Sequence, residues 1–267
     1  MTTSIEKRTR GYTDIGGHRT WFADSGGAGE PVLLLHGGLS DSELLLESLE
    51  PALGDRYRVL AFDRRGHGRT SDTEAAFHYN DMANQTVAAI EKLVGGSTHL
   101  IGWSDGGIVA LLVALRRPDL VRSLVLIGAN YHYNGLMPTD PGDGSVPEAL
   151  RERYAERSPD GMEHFSRVLD KSFAMFASEP TLTTADLRGI AAPTLVMVGD
   201  DDMATFAHTA SLYESLPQGQ LAVVPGASHA VVIEKPELVG RLIVDFLRAP
   251  RTPETYFPVR RKPRNGA

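Results

Sequence analysis

Short apolar runs that alternate with longer stretches of helical period most constrain what this chain can fold into. The runs are bounded by Gly, Pro or Asp and lie at residues 31–36, 57–62, 99–103, 123–127, 193–198 and 220–224. The helical stretches lie at residues 79–94, 106–116, 205–216 and 236–247. This alternation predicts an α/β fold with a mostly parallel sheet covered by helices on both faces. Residues 12–23, centred on Gly16 and Gly17, predict an antiparallel hairpin before the parallel part.

A long insertion interrupts this alternation. About sixty residues separate the strand that ends near Ala129 from the next strand at Pro193, far more than an ordinary crossover needs. Residues 147–157 and 159–177 predict helices, whereas residues 138–147 are rich in Pro, Gly and Asp and predict a loop. The chain therefore divides into a core at residues 1–130 and 191–250, a helical cap at 131–190 and an extended tail at 251–267.

An apolar stripe on the second predicted cap helix has two interpretations. Its members recur at helical spacing: Met162, Phe165, Val168, Leu169, Phe173 and Phe176. They either pack the cap onto the core or, together with Tyr131, Tyr133 and Met137, roof an apolar substrate pocket. Both interpretations can hold for different residues.

The strand-to-helix sequence Gly102-Trp103-Ser104-Asp105-Gly106 contains the spacing G-x-S-x-G. Such a turn presents a serine nucleophile at the end of a strand. Glycines on both sides of Ser104 fit this interpretation, because a turn this tight leaves no room for a Cβ atom. An ordinary loop is the alternative, since Gly and Ser are common in turns. Ser104 is the first candidate for catalysis.

Two more predicted strand ends carry residues that can complete a catalytic site. One strand is followed by Gly199 and three aspartates, Asp200, Asp201 and Asp202, and the last strand is followed by a segment that ends in His229. Ligands of parallel sheets lie outside the carboxyl ends of the strands. The candidates therefore occur in the chain order Ser, Asp, His. The aspartates that do not serve are expected to be solvated or to cap the following helix.

The first parallel strand ends in His36-Gly37-Gly38-Leu39, where small residues let backbone N–H groups approach a developing oxyanion. Gly38 and Asp105 are the predicted N–H donors of an oxyanion hole, with Leu39 as the second choice after Gly38. His36 and the glycine-flanked His67 are interpreted as residues that orient loops.

These motifs together resemble the α/β-hydrolase superfamily over residues 11–247. The matching pieces are residues 36–38, 63–68, 102–107, 199–202 and 226–229. In that superfamily the acid usually follows the glycine by three residues, which favours Asp202, with Asp201 next. The resemblance implies an α/β-hydrolase fold with a helical cap.

Residues 102–108 and 127–130 are more closely similar to the biphenyl hydrolase-like or valacyclovir hydrolase branch. In that branch the aspartate after the nucleophile, here Asp105, binds the ammonium group of the substrate. The alternative is a carboxylate favoured by the dipole at a helix N-terminus. The residues predicted to contact substrate are Leu39, Trp103, Asp105, Asn130, Tyr131 and Met137.

Composition excludes several classes of function. The 267 residues carry a net charge of −7, which gives no general attraction to nucleic acid or anionic membranes. The chain has no cysteine, so disulfides and thiolate chemistry are excluded. Residues 1–10 are polar and no long apolar run exists, which predicts a cytoplasmic protein without a signal peptide or membrane span. Basic residues Arg260, Arg261, Lys262 and Arg264 lie in the predicted tail.

The chemistry of these groups predicts a serine hydrolase acting on a small carboxylic ester or lactone through an acyl-enzyme. Ser104 attacks, His229 transfers protons and Asp202 orients His229, with no cofactor or metal. Carbon–carbon bond hydrolysis and perhydrolysis use the same serine and remain alternatives. A ligand-binding receptor on the hydrolase scaffold is a further alternative.

Overall fold

An eight-stranded sheet organises residues 8–137, 146–250 and 255–257, which are the residues that this computed structural model describes. The strand order is β1-β2-β4-β3-β5-β6-β7-β8. The first two strands form the predicted hairpin, β2 pairs antiparallel with β4, and all later pairings are parallel. The strands are β1 (Thr9–Ile15), β2 (His18–Asp24), β3 (Glu30–Leu35), β4 (Tyr57–Phe62), β5 (Thr98–Trp103), β6 (Val121–Ile127), β7 (Thr194–Asp201) and β8 (Gly219–Ser228).

Helices connect the parallel strands, as the alternation predicts. They are α1 (Ser42–Leu53), α2 (Tyr79–Ala89), α3 (Asp105–Arg116), α4 (Glu148–Arg157), α5 (Phe165–Phe176), α6 (Thr184–Arg188), α7 (Phe206–Ser215), α8 (Val231–Glu234) and α9 (Pro236–Arg248). Helix α2 continues as a π-helical turn over Ile90–Val94. Three helices were not predicted. Helix α1 contains Pro51, and α6 and α8 span only five and four residues, too few to show a period.

The central strands are buried on both faces, which explains why they read as continuous apolar runs. On β3, Val32 and Leu34 belong to one hydrophobic cluster, whereas Leu33 and Leu35 belong to another. The first cluster includes residues of α1 and α9, and the second includes residues of α2, α3 and the cap helices. Because successive side chains point to opposite faces, each strand is held between two helical layers.

The last two strands extend further than predicted, and this changes where the candidate acids lie. Strand β7 includes Asp200 and Asp201 instead of ending at residue 198, and β8 runs on to Ser228. Their pairing shifts register between Gly199 and Asp201. A Cβ atom on Gly199 would lie 2.1 Å from the carbonyl oxygen of Ala227, so only glycine permits this approach. The glycine and aspartates look like a turn in the sequence, yet the strand continues through them because of this irregularity.

Helices of the insertion pack on the core and are joined to it by ion pairs. The carboxylate of Asp72 accepts from Lys171 at 2.6 Å and lies 2.9 Å from His164 of the insertion. Arg153 of α4 donates to Asp41, which caps α1, at 2.9 Å. The predicted helix at residues 159–177 is divided, because a 3-10 turn precedes α5 at Phe165.

Two predicted segments fall wholly or largely outside the described residues. These are the loop at residues 138–147, of which 138–145 are not described, and the tail at 251–267 with its basic group, of which only 255–257 are described. In the part of the chain that is described, no helix is long and apolar enough to cross a membrane.

Candidate active site

Ser104 lies at the predicted sharp turn between β5 and α3. Its φ and ψ angles are 54° and −120°, a backbone conformation that non-glycine residues rarely adopt. A Cβ atom on Gly102 would lie 2.2 Å from the carbonyl oxygen of Gly106, and one on Gly106 would lie 1.9 Å from that of Leu35. Both glycines are therefore required by close backbone approach, and the strained turn lifts the serine side chain out of the sheet.

A hydrogen-bonded chain connects Ser104 to the ends of β7 and β8. The Nε2 atom of His229 lies 2.9 Å from Ser104 Oγ, and its Nδ1 atom lies 2.8 Å from Asp202 Oδ1. The Asp202 side chain is fully buried, whereas His229 is about a fifth exposed at 22%. A histidine placed in this way can take a proton from the hydroxyl while the carboxylate holds the ring.

Of the three consecutive aspartates, the structure brings Asp202 to His229. Asp201 is exposed and pairs with Ser228 in the sheet. Asp200 is exposed and accepts from the backbone N–H of Ala227, and hydrogen bonds from Gly226 and Ala227 lower its pKa. Asp202 also accepts from the N–H of Ala204 at 3.1 Å, which fixes its orientation.

Glycine at position 128 makes room for this pair. Its φ is +58°, and a Cβ atom there would lie 3.0 Å from the His229 ring and 3.1 Å from Asp202 Oδ2. The indole of Trp103 contributes from the other side, because its Nε1–H donates to the carbonyl oxygen of His229 at 2.8 Å. Trp103 is buried and therefore positions the histidine backbone as well as being a predicted substrate contact.

The segment after β3 lies directly beside the serine turn. A Cβ atom on Gly38 would lie 2.6 Å from Asp105 Oδ2 and 2.9 Å from Phe176 Cζ. Leu39 has a positive φ of 54° and is partly buried against the core. The structure thus brings together Gly38 and Asp105, the two predicted oxyanion donors, and it places one residue of the cap stripe against them.

The rest of the stripe divides between the two interpretations offered above. Phe165 and Val168 are buried in the core, which is the packing interpretation. Phe173 and Met162 are exposed, at 48% and 40%. Phe176 borders the serine turn and is the stripe residue placed to cover it.

Asp105 is buried in a polar cluster. Its Oδ1 accepts from the hydroxyl of Tyr79 at 2.7 Å, and its Oδ2 has no partner among the described residues. Burial raises the pKa of this carboxyl, while the guanidinium of Arg64 and the Tyr79 hydrogen bond act in the opposite direction. Burial lowers the pKa of Arg64 to about 10, and Asp105 counteracts that shift.

The remaining predicted substrate residues make other contacts. Asn130 is buried and donates to the carbonyl oxygen of His132 at 3.0 Å. Tyr131 stacks on His208 with ring centroids 4.0 Å apart, and its hydroxyl lies 3.0 Å from Ser211 Oγ. Met137 is 48% exposed, and its N–H donates to Met203 at 2.8 Å. Their contact with substrate stays a prediction.

Sequence reasoning missed Arg64 and Tyr79. Arg64 follows Asp63 in a motif that was used only to support the resemblance, and Tyr79 was assigned only to a helix. A signal did exist for Arg64, since it comes directly after a buried strand where a charged side chain needs an explanation. Within the described ranges, no three His, Asp or Glu side chains gather in a way that could hold a metal ion.

The parallel sheet, the strained serine turn and the adjacent histidine–aspartate pair define a hydrolase of the α/β class. Residues 32–242 match the model of the alpha/beta hydrolase family, and the chain belongs to that family.

Two curated relatives and one solved structure illustrate its similarities. A carbamate hydrolase, RutD, of Agrobacterium fabrum is 29% identical over 81% of this chain and 93% of that protein. The 2-(acetamidomethylene)succinate hydrolase of Mesorhizobium japonicum is 29% identical over 82% of this chain and 88% of that protein. A meta-cleavage product hydrolase from Pseudomonas fluorescens has a TM-score of 0.72 and 24% identity, with 89% of this chain and 97% of that chain covered. None of the three is named for the biphenyl or valacyclovir hydrolase branch, and that assignment stays a prediction.

Proposed function

We propose that this chain is a serine hydrolase that cleaves small carboxylic esters or lactones through an acyl-enzyme intermediate, without a cofactor. The observation that carries the proposal is the hydrogen-bonded chain Ser104–His229–Asp202, with heavy-atom distances of 2.9 and 2.8 Å. Both distances lie within the range required for proton transfer. Ser104 is also held in the strained conformation that exposes a nucleophile.

In the first half of the reaction, Ser104 Oγ forms a bond to the substrate carbonyl carbon as its proton moves to His229 Nε2. The carbonyl π electrons move to oxygen, and the N–H groups of Gly38 and Asp105 donate to that oxyanion. When the intermediate collapses, the bond to the leaving oxygen breaks and His229 gives its proton to that oxygen.

In the second half, His229 takes a proton from water, which attacks the acyl-enzyme, and then returns the proton to Ser104. Asp202 accepts from Nδ1–H throughout, which selects the tautomer whose Nε2 can act as a base and stabilises the imidazolium.

The same attack serves substrates in which the acyl carbon is bound to nitrogen. The names of two relatives, a carbamate hydrolase and an acetamidomethylene succinate hydrolase, favour this second candidate. The name of the meta-cleavage product hydrolase keeps carbon–carbon bond hydrolysis as an alternative, and perhydrolysis and ligand reception without turnover remain the others.

A preference for amine-bearing esters depends on Asp105. Its buried carboxylate has a free Oδ2 beside Gly38 among the described residues, which supports ammonium binding. The buried Arg64 already balances its charge, which supports a scaffolding role instead. If Asp105 binds ammonium, Asp105→Asn lowers the ratio of kcat/KM for an α-amino ester to that for its deaminated analogue.

The test is hydrolysis of a substrate panel by the wild type and by Ser104→Ala. The panel contains p-nitrophenyl acetate and butyrate, an α-amino ester, a γ-lactone, a phenyl carbamate and a vinylogous diketone. Ser172→Ala is the matched control, because it removes another partly enclosed serine hydroxyl, from the cap, that has no hydrogen-bond partner among the described residues. Labelling by a fluorophosphonate, followed by peptide mass spectrometry, identifies the reactive serine directly.

Turnover and labelling that are lost in Ser104→Ala and kept in Ser172→Ala support a serine hydrolase, and the rank order of the panel selects the bond. Turnover that survives in a folded Ser104→Ala variant contradicts the proposal. Labelling of Ser104 without turnover on any ester or lactone contradicts the ester and lactone assignment and favours the other bonds.

A further inference from the structure

Arg64 is a fully buried cation next to the candidate active site that the proposed mechanism does not use. It follows β4, and its side chain is among the largest that are completely enclosed. Taking a guanidinium out of water costs several kcal/mol, and an apolar side chain would fill the space without that cost. The charge at this position therefore calls for an explanation beyond packing.

The donors of Arg64 reach two consecutive carbonyl groups of the segment after β3. One terminal nitrogen donates to the carbonyl oxygen of His36 at 2.6 Å, and the other donates to that of Gly37 at 3.0 Å. The ring of His36 adds to this arrangement, since its Nδ1 lies 2.7 Å from the same Gly37 oxygen and its Nε2 accepts from the backbone N–H of Arg64 at 3.1 Å. The Gly37 carbonyl thus receives two donors, one of them charged.

That carbonyl belongs to the peptide unit whose N–H is on Gly38. A charged donor at a peptide oxygen draws electron density from the peptide and makes its N–H a stronger donor, because hydrogen bonds in a chain polarise one another. The same two donors also fix the rotation of the peptide plane. In a buried site, a preorganised and polarised N–H stabilises a developing oxyanion more than a free peptide does.

The cluster that balances Arg64 leads to the second N–H donor. Asp105 supplies opposite charge to Arg64, and Tyr79 donates to its carboxylate at 2.7 Å. The backbone N–H of Asp105 is the other predicted oxyanion donor. One buried charge pair therefore lies behind both donors, and the aspartate after the serine does not leave an unbalanced negative charge beside the oxyanion.

We propose that Arg64 is a positioning residue that orients and polarises the Gly37–Gly38 peptide so that the Gly38 N–H stabilises the oxyanion, with Asp105 as its buried counter-ion. The inference rests on the proposed function, because it assigns Arg64 to an oxyanion formed by attack of Ser104. It distinguishes Arg64 from a purely structural cation by where its effect falls: on the transition state and not on substrate binding.

The experiment compares Arg64→Met/Asp105→Asn with Asp105→Asn alone. Removing both charges together avoids an unpaired buried cation or anion, so the double variant is expected to fold where Arg64→Met alone does not. We expect kcat for p-nitrophenyl acetate to fall about tenfold to a hundredfold below that of Asp105→Asn, with KM nearly unchanged. The inhibition constant of trifluoroacetone, whose adduct with the serine places an oxyanion in the hole, rises by the same factor.

Two further variants complete the design. Arg64→Lys keeps the charge and one donor, and we expect it to retain more kcat than the double variant. Arg153→Met removes a cation that binds Asp41 on the cap side and serves as the control for general destabilisation, with kcat within about twofold of the wild type. A third readout is the amide proton shift of Gly38 in the NMR spectrum, which moves upfield when Arg64 is lost and does not depend on turnover.

Equal kcat, equal trifluoroacetone affinity and an unchanged Gly38 shift in the double and single variants overturn the inference. A rise in KM with unchanged kcat also overturns it, since that result assigns Arg64 to substrate binding. A wild type without turnover contradicts the proposed function instead. The Gly38 shift then still decides whether Arg64 polarises that peptide.

Discussion

Two buried aspartates, Asp202 and Asp105, belong to the same candidate site and differ in the groups that face them. Each accepts through Oδ1, and each has an Oδ2 that is buried without a partner among the described residues. Asp202 faces His229, a group able to gain and lose a proton, whereas Asp105 faces Tyr79 and the permanently charged Arg64. A carboxylate beside a group that changes charge can support proton transfer, and one beside a fixed charge can only organise its surroundings.

The largest effect is expected from breaking the Asp202 side. Asp202→Asn keeps the shape but favours the tautomer with a proton on Nε2, so we expect kcat to fall by about 10⁴. Asp201→Asn is the matched control, because that aspartate is exposed and next in sequence, and it should change kcat by less than about twofold. Steady-state kinetics on the best ester measure both. Equal losses from the two variants would show that the acid is not Asp202 alone.

The next effect comes from the Asp105 side and falls on stability. Asp105→Asn retains a partner for Tyr79 but leaves Arg64 buried with less opposite charge, so we expect the free energy of unfolding to fall by about 3 kcal/mol. Urea unfolding followed by circular dichroism measures it, with Asp170→Asn, an exposed position, as the control. An unchanged midpoint would mean that Arg64 and Asp105 do not depend on each other, and the comparison would then fail.

A smaller effect sharpens the role of Tyr79. Tyr79→Phe removes the donor to Asp105 and leaves both carboxylate oxygens without a donor, so we expect a loss of about 2 kcal/mol in the free energy of unfolding. In the double variant with Asp105→Asn the losses should not add, because both act on one network. Additive losses would place the two side chains in separate networks.

The sequence predicted one of these aspartates better than the other. Asp202 follows a glycine at the end of a strand and lies in the order Ser, Asp, His, a pattern that the sequence displays directly. Asp105 was noticed as a charge beside the serine, yet its partners Arg64 and Tyr79 come from β4 and α2 and are brought together only by packing. The strand order, the elbow and the hairpin followed from periodicity and glycine spacing. Contacts between distant side chains leave no local pattern, and neither do the short helices α6 and α8.

The smallest effect tests the neighbourhood of Asp202, where α7 follows directly in the chain. Burial lowers the pKa of His208 to about 4, and His132 adds to this shift. Its Nε2 accepts from the N–H of Tyr131 at 3.0 Å, a bond that only the neutral ring can accept. The folded-state pKa lies below the unfolded value of about 6.5, so the unfolded chain takes up the proton first as the pH falls. The stability that His208 contributes is therefore present above about pH 6.5 and is lost as the pH falls towards 4. Because the ring is partly reached by solvent, we expect this loss to be about 1 kcal/mol. Urea midpoints at pH 7.5 and pH 4.5 measure it, and His208→Gln should show a smaller drop than the wild type. An equal drop in both would move the acid sensitivity to other buried histidines, of which His67 is the nearest candidate, since burial lowers its pKa to about 3.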